Sequence, residues 1–484
     1  MVSIFSLFYF AFVTRLFSKL DISVLAVVGV VNAFGGSIGG LGLMTLALQR
    51  VPALRANNRQ DDAARMLGSG TVVSIAGAAF VAALIAIMSK PLSVVFFKTA
   101  NTHHLIIAAS ILLISYKAYE SVNLSMQALD NFRMVTRLRI LNDIFLRMLG
   151  IPAYLLGGII GYMFTLASGQ LVISAIAFGI EFKQMPLRVF WDWRLIRALV
   201  RESLPFYGFS VLRFGTVQAD SLLVGVLLRP DALATYYVIR RFYDYLAQFF
   251  DAMLTPLIPK VAERRECDGR GVADAFHKSS RYVLAICIST AVLLLPLSGQ
   301  FLAVFGGTKY MNGVPGLRIF FVAAALYGLY SFHSSFVLAA ASPRASLSNE
   351  ILASFSNLVL STWLVASYSV TGGAGGKMIA IAFVAVASFW VLSRSVPAKP
   401  NHDWGLLKDV LPVTASGSCA ILLVQIWIQN VPMIFLMWAG MLILMLYWII
   451  RRSNHNDIDF ISKSLKLERL PFGGRILRLA RISY

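Results

Sequence analysis

The chain has 484 residues, 58% hydrophobic and 14% charged, which is more apolar surface than a soluble core can bury and excludes a soluble enzyme with a single anchor. Its 43 Lys and Arg against 23 Asp and Glu give +20, a balance that suggests nucleic acid in a soluble protein but membrane loops when set between apolar runs. Three cysteines, two of them inside apolar runs, carry no disulfide framework.

With about 20 residues needed to cross the hydrocarbon core, the sequence predicts an all-α polytopic membrane protein. Its fourteen spans run roughly 2–17, 22–47, 67–88, 103–128, 140–160, 162–181, 203–228, 232–255, 282–304, 315–340, 349–367, 374–393, 409–428 and 431–450. The opening MVSIFSLFYFAFVTR lacks a basic n-region and a small-residue cleavage site, so it reads as a retained first span whose shortness leaves room for an upstream start. Alternate loops differ in charge: thirty Lys and Arg fall on one side, from the loop after the second span to the tail, against six on the other. That asymmetry predicts cytoplasmic termini.

Spans one to six and seven to twelve share a rhythm. Each set has a very short external turn after its first helix, a long basic loop after its second, and a Gly-rich external turn before its sixth, at 156–158 and 371–376. An even number of helices per set predicts a parallel duplication with substrate between the halves. The expected divisions are a six-helix lobe 1–181, a linker 182–202, a second six-helix lobe 203–393, additional helices within 394–450, and a basic tail 451–484. The tail ends RILRLARISY, with a spacing that suits either a helix on an anionic leaflet or a solvated tail.

Seven cations lie inside spans: Arg15, Lys117, Arg147, Arg213, Arg240, Arg241 and Arg318. A charge in hydrocarbon is costly, so such residues face a polar cavity, pair, or snorkel to an interface. Arg213 stands ten residues into the seventh span, roughly 15 Å deep at 1.5 Å per residue. Asp220 is too far along that helix for a direct ion pair. Arg240, Asp244 and Asp251 form one polar stripe on the eighth span, read either as lining a lumen or as an i,i+4 pair that pins two helices; Arg241 is rotated about 100° from Arg240. Lys117 with Glu120 and Asp143 with Arg147 have ion-pair spacing, read first as structural, with coupling or charge balance as the functional alternative for Lys117, Glu120, Asp220, Asp244 and Asp251. Tyr236 and Tyr243 are candidates for stacking on a sugar, against the default of an interfacial belt. GGSIGG at 35–40 reads as a helix-packing motif. The sequence contains no G-x-x-x-x-G-K-[ST] loop, no zinc-ligand spacing and no G-x-S-x-G elbow, so neither a catalytic site, a metal nor a cofactor is expected.

TRLFSKLD at 14–21, GGLGLMTLALQR at 39–50, ADSLLVGVLLRPDALATYYVIRR at 219–241, and Pro256 with Pro259 resemble, in order and spacing, the polysaccharide transporter family. These are the Wzx-type flippases of the multidrug/oligosaccharidyl-lipid/polysaccharide (MOP) superfamily. Ala234, where a Gly is common before the Tyr, departs from the pattern. The resemblance implies two six-helix lobes in a V around a central cavity, plus two further helices. Helices one, two, seven and eight border that cavity, which puts Arg15, Arg213 and Arg240 or Arg241 in reach of a diphosphate. The implied activity is alternating-access transfer of an undecaprenyl-diphosphate-linked oligosaccharide to the periplasmic leaflet of the bacterial inner membrane, for O-antigen, capsule or exopolysaccharide assembly. The implied partners are that substrate, membrane lipids, and a polymerase with chain-length machinery. A MATE-type drug or cation antiporter and a lipid II flippase are the alternatives; a proton or sodium gradient, or the pull of polymerisation, is the implied energy source.

Overall fold

The computed structural model describes residues 2–184, 193–254, 269–340, 343–395, 401–427 and 431–451. The expected basic tail beyond Arg451, Pro256, Pro259 and residues 185–192 of the expected linker lie outside this set. All elements among the described residues are helical. The longer ones, in chain order, are α1 (Val2–Leu16), α2 (Lys19–Gly39), α3 (Leu43–Ala56), α4 (Gln60–Ile87), α5 (Ser89–Phe97), α6 (His103–Ala128) and α7 (Phe132–Ile140). Then follow α8 (Arg147–Gln184), α9 (Trp193–Leu227), α10 (Pro230–Leu254), α11 (Gly269–Leu294), α12 (Val314–Ala340), α13 (Pro343–Ser395), α14 (Gly405–Trp427) and α15 (Val431–Arg451).

Among the described residues, ten stretches are long and apolar enough to cross a membrane. Two of them hold a helical hairpin each. In α8 the chain reverses at Gly157 and Gly158, and Gly158, with φ 60° and ψ −153°, occupies a region that only glycine enters readily. In α13 the reversal falls on Ser369, with φ 56° and ψ −132°. With each hairpin counted twice and α1 and α10 added, the described residues make fourteen passes. The helix α10 fails a pure hydropathy test because its polar stripe, not its length, lowers its apolarity.

The second hairpin corrects the expected turn at 371–376. Those glycines lie inside the helix, two residues and more past the reversal. Carbon placed at Gly372 would collide with the Leu364 carbonyl, and carbon at Gly376 would meet the Ser361 backbone, so the glycines bring the two arms together. A second correction concerns the expected span 22–47. It divides at residues 40–42, where Leu41 (φ 49°) and Gly42 (φ 67°) are both left-handed. The helix before this break starts on a capping box: Ser18 Oγ accepts from Asp21 N at 3.1 Å, and Asp21 Oδ2 accepts from Ser18 N at 3.2 Å.

The chain forms two compact units, Met1–Tyr237 and Val238–Tyr484. Within the first, α9 packs on α2, α3, α4 and α5, although the repeat rhythm groups it with the later helices. Residues 193–202 of the expected linker are its first ten residues. Leu43, Ala47, Val51, Ala63 and Leu67 form a fully buried core at one end of this unit. Within the second, α12 packs along α13, and the additional helices α14 and α15 pack against α11 through Ala285, Leu293, Leu406, Val410 and Met445.

The segment 401–404 that leads into α14 is tied to α11 and α12. Asp403 caps α14 by accepting from Gly405 N at 2.8 Å, and its own N–H donates to Ser280 Oγ at 3.0 Å. His402 sits among Phe276, Phe389 and His333. The Ala385 carbonyl, 2.9 Å from His333 Nδ1, can only accept, so His333 Nδ1 carries the proton and His402 Nε2–H donates to His333 Nε2 at 3.0 Å. His277 and Arg281 of α11 face Asp403 alongside, each 3.9 Å from its carboxylate. Burial holds the His402 imidazole below its ordinary 6.5. An unfolded His402 therefore takes up a proton before the folded one does, and stability falls as pH drops through 6.5. Thermal unfolding in detergent between pH 7.5 and 5 is expected to show this loss, with a shallower slope for His402→Gln.

Candidate substrate cavity

Two glycine stripes run side by side on α2, one residue apart, with different work. Gly35 abuts Leu113 of α6, and carbon at Gly39 would come 2.5 Å from Ala78 Cα of α4, so this stripe packs. Gly36 and Gly40 lie one residue further round and line a cavity of about 270 Å³ within the first unit. Its walls come from α2 and the 40–42 break, from the start of α3, from α6 and from α9. A volume of that size takes a hydrated head group or a few sugar atoms, at about 30 Å³ per water. It does not enclose a lipid-linked saccharide.

From α6, Lys117 and Glu120 enter the cavity one turn apart. They are 2.8 Å apart, Nζ to Oε2, which realises the expected i,i+3 pair and places it on the cavity wall. The Lys117 ammonium also donates to the Gly36 carbonyl at 3.4 Å. It lies against Gly40, where any side-chain carbon would collide with Nζ. The last carbonyls of α2 carry the negative end of its dipole, so a cation is well placed there. From α9, Arg213 is exposed into the same space, and its guanidinium makes no ion pair or hydrogen bond with any described residue. Asn32, Ser37, Tyr116, Ser210 and Gln218 add neutral hydrogen-bonding groups. Two cations against one carboxylate leave the wall net positive.

Of the residues expected at a site, Arg213, Lys117 and Glu120 share this cavity; the rest stand elsewhere. Arg15 is exposed in the last turn of α1 and does not line it. Asp220 is fully buried and accepts from the Tyr236 hydroxyl at 2.6 Å, which commits Tyr236, also fully buried, to a carboxylate of its own unit. Tyr236→Phe is expected to cost about 1–3 kcal/mol by leaving Asp220 short of a donor, read as a lower unfolding midpoint with transport per folded molecule retained. In the second unit Arg240, 4% exposed, lies 3.7 Å from Asp244, and Arg241 approaches the same carboxylate at 4.0 Å while stacking on Tyr245. Asp251 accepts from Tyr327 at 2.9 Å and from Ser331 at 2.7 Å. Tyr243 is buried between the rings of Phe320 and Tyr327.

Sequence reasoning passed over Asn32 and Gln218 on the cavity wall. The spacing Asn32, Gly36, Gly40 is a signal at i, i+4, i+8, but it is hidden inside a motif that also serves packing. It also passed over two buried acids, Glu181 at the end of α8, near Ser125, and Glu350 in α13, 3.5 Å from the Tyr330 hydroxyl. Each lies within a few residues of a span edge.

A family model described as polysaccharide biosynthesis protein matches residues 12–315. The chain belongs to this family. No curated protein matches the chain. Among solved structures, the fold of this polysaccharide biosynthesis protein is similar to that titled lipid II flippase MurJ in an inward closed conformation. The TM-score is 0.73 at 15% identity, covering 93% of this chain and 97% of that one. It is also similar to an inward-facing multidrug resistance MATE family transporter of the MOP superfamily, with TM-score 0.64, 14% identity, and 81% and 94% covered. The eukaryotic MATE transporter AtDTX14 follows with TM-score 0.57, 12% identity, and 81% and 91% covered. These identities carry the fold: this family member is a multi-pass membrane protein with the helical architecture of MOP-superfamily transporters.

Proposed function

We propose that this polysaccharide biosynthesis protein is a flippase for an oligosaccharide linked to undecaprenyl diphosphate, moving it from the cytoplasmic to the periplasmic leaflet of the bacterial inner membrane by alternating access. Family and fold support a MOP-superfamily flippase. The observation that carries the anionic substrate is Arg213, unpaired among the described residues and sharing a cavity with Lys117. A diphosphate cannot cross hydrocarbon unaided, and a guanidinium at mid-depth offers it charge-assisted hydrogen bonds that replace water. The isoprenoid stays in lipid while the head group uses the cavity. The same net positive wall opposes the antiporter reading, which needs an acidic site for cationic drugs.

The thirty-to-six asymmetry of loop cations supports cytoplasmic termini. A gradient of protons or sodium, or the pull of polymerisation on the far side, supplies the drive, and Asp244→Asn distinguishes them if it uncouples transport from the gradient. The decisive experiment deletes the gene in its native bacterium and measures the amount and sidedness of lipid-linked saccharides. Complete repeat units trapped on the cytoplasmic leaflet are expected, and they also identify the cargo and its pathway. Unchanged intermediates would overturn the assignment.

A further inference from the structure

The two charges of the Lys117–Glu120 pair are held very differently. The lysine side chain is 7% exposed, the glutamate side chain 37%. The ammonium is held by the Gly36 carbonyl and by Glu120, and it fills the space that a side chain at Gly40 would take. The carboxylate has one partner among the described residues, that ammonium, and otherwise faces the cavity. Removing Glu120 would leave Lys117 in place at the negative end of α2, whereas removing Lys117 would leave Glu120 with nothing to hold it.

An oxyanion that enters this cavity meets Arg213 without a competitor, but it meets Lys117 already occupied. It also meets the Glu120 charge, which repels it. We infer that Glu120 is a displaceable counter-ion that occupies the phosphate position on Lys117 while the cavity is empty. This deepens the flippase reading and rests on it. When a phosphate ester binds, its oxygen takes over the Lys117 ammonium, and Glu120 turns away by rotamer changes about its three side-chain torsions into the hydrated part of the cavity. No covalent bond changes and no proton moves.

The exchange has a use. A carrier must bind tightly enough to load and weakly enough to release, and two free cations in one cavity would hold a diphosphate too well. Returning Glu120 to Lys117 offsets part of the loss when the phosphate departs. Gly40 is the structural condition for it, because any side chain there would push the ammonium off its fixed position.

The test uses the full chain in lipid nanodiscs with farnesyl diphosphate as probe, inorganic diphosphate as the test of whether a lipid is needed, and farnesol as the uncharged control. Glu120→Gln is expected to bind farnesyl diphosphate about fivefold more tightly, the scale of a half-exposed ion pair. Lys117→Met is expected to weaken binding at least about tenfold. Glu120→Ala repeats the measurement with a different side chain. Infrared difference spectra of the unmutated protein on binding should show a carboxylate band that shifts and that vanishes in Glu120→Gln. If wild type binds and Arg213→Ala does not, yet Glu120→Gln and Glu120→Ala bind no more tightly than wild type, the exchange is refuted and the anion site stands. If wild type binds neither diphosphate above farnesol, the anion site falls and the exchange with it. Binding of inorganic diphosphate as tight as farnesyl diphosphate upholds the exchange but assigns it to the phosphates alone.

Discussion

Arg213→Ala abolishes transport while the protein still accumulates in the membrane: this is the largest functional effect expected of any single substitution in the cavity. The side chain contacts no described residue by ion pair or hydrogen bond, so its removal leaves no orphaned partner and takes little packing with it. What is lost is the guanidinium that a diphosphate would use. One or two charge-assisted hydrogen bonds at about 1.5–3 kcal/mol each correspond to a fall in transport of about tenfold at the low end and well over a thousandfold at the high end. Arg213→Lys keeps the charge but not the bidentate fork, so it should restore only part of the activity. The check is complementation of a deletion strain together with the sidedness of its lipid-linked saccharides, normalised to protein in the membrane. Full activity in Arg213→Ala would remove the residue from the mechanism.

The largest effect on stability is expected at Gly39 and Gly77. Here α2 and α4 touch backbone to backbone. Carbon at Gly39 would lie 2.5 Å from Ala78 Cα and 2.6 Å from Ala78 N, and carbon at Gly77 would strike the Gly39 carbonyl oxygen. Neither neighbour is a flexible side-chain end, so the helices themselves must separate. Overpacking of this kind costs about 1–3 kcal/mol where side chains can give, and more where they cannot. Gly39→Val and Gly77→Val should therefore lower the unfolding midpoint in detergent sharply and reduce the protein recovered from membranes. Gly36→Ala is the internal control: three residues earlier on the same helix, its new carbon meets nothing within 4 Å. It should keep its midpoint. If Gly39→Val unfolds at the wild-type temperature, the close approach of α2 and α4 is wrong.

The spans were legible in the sequence because hydrocarbon imposes a length and excludes charge, and both constraints are local. Even α10 could be read, since its polar residues recur on one helical stripe rather than all round. The family was legible from ordered motifs that cover the first span to the eighth. Turn positions were less so. The run TGGAGG reads as a loop by composition, yet glycine serves equally to bring two helices together, and only the partner arm decides which; Ser369 takes the reversal instead. The same ambiguity hid the break at 40–42 inside GGSIGG and the residues after it. For the cavity, charge in a span marked Arg213, Lys117 and Glu120, but it marked Arg240, Asp220 and Asp251 equally. What sets Asp220 and Asp251 apart is that neighbouring hydroxyls take up their carboxylates, Tyr236 for Asp220 and Tyr327 with Ser331 for Asp251. That is a property of packing, and a single sequence does not carry it.

The interruption at Leu41 and Gly42 changes how the first unit bears load. A continuous helix through 22–47 would behave as a rod, so that a push on its basic end would tilt the whole length. With two successive left-handed residues at the cavity, the hydrogen-bonded ladder is cut, and strain applied to α3 is taken up in a few backbone torsions. Gly42 also lies so close to the backbone of Phe206 and Tyr207 that this joint bears directly on α9. The end of α2, locked on α4 and α6 through Gly39 and Gly35, stays stiff, while α3 beyond the break has the compliance to follow α9.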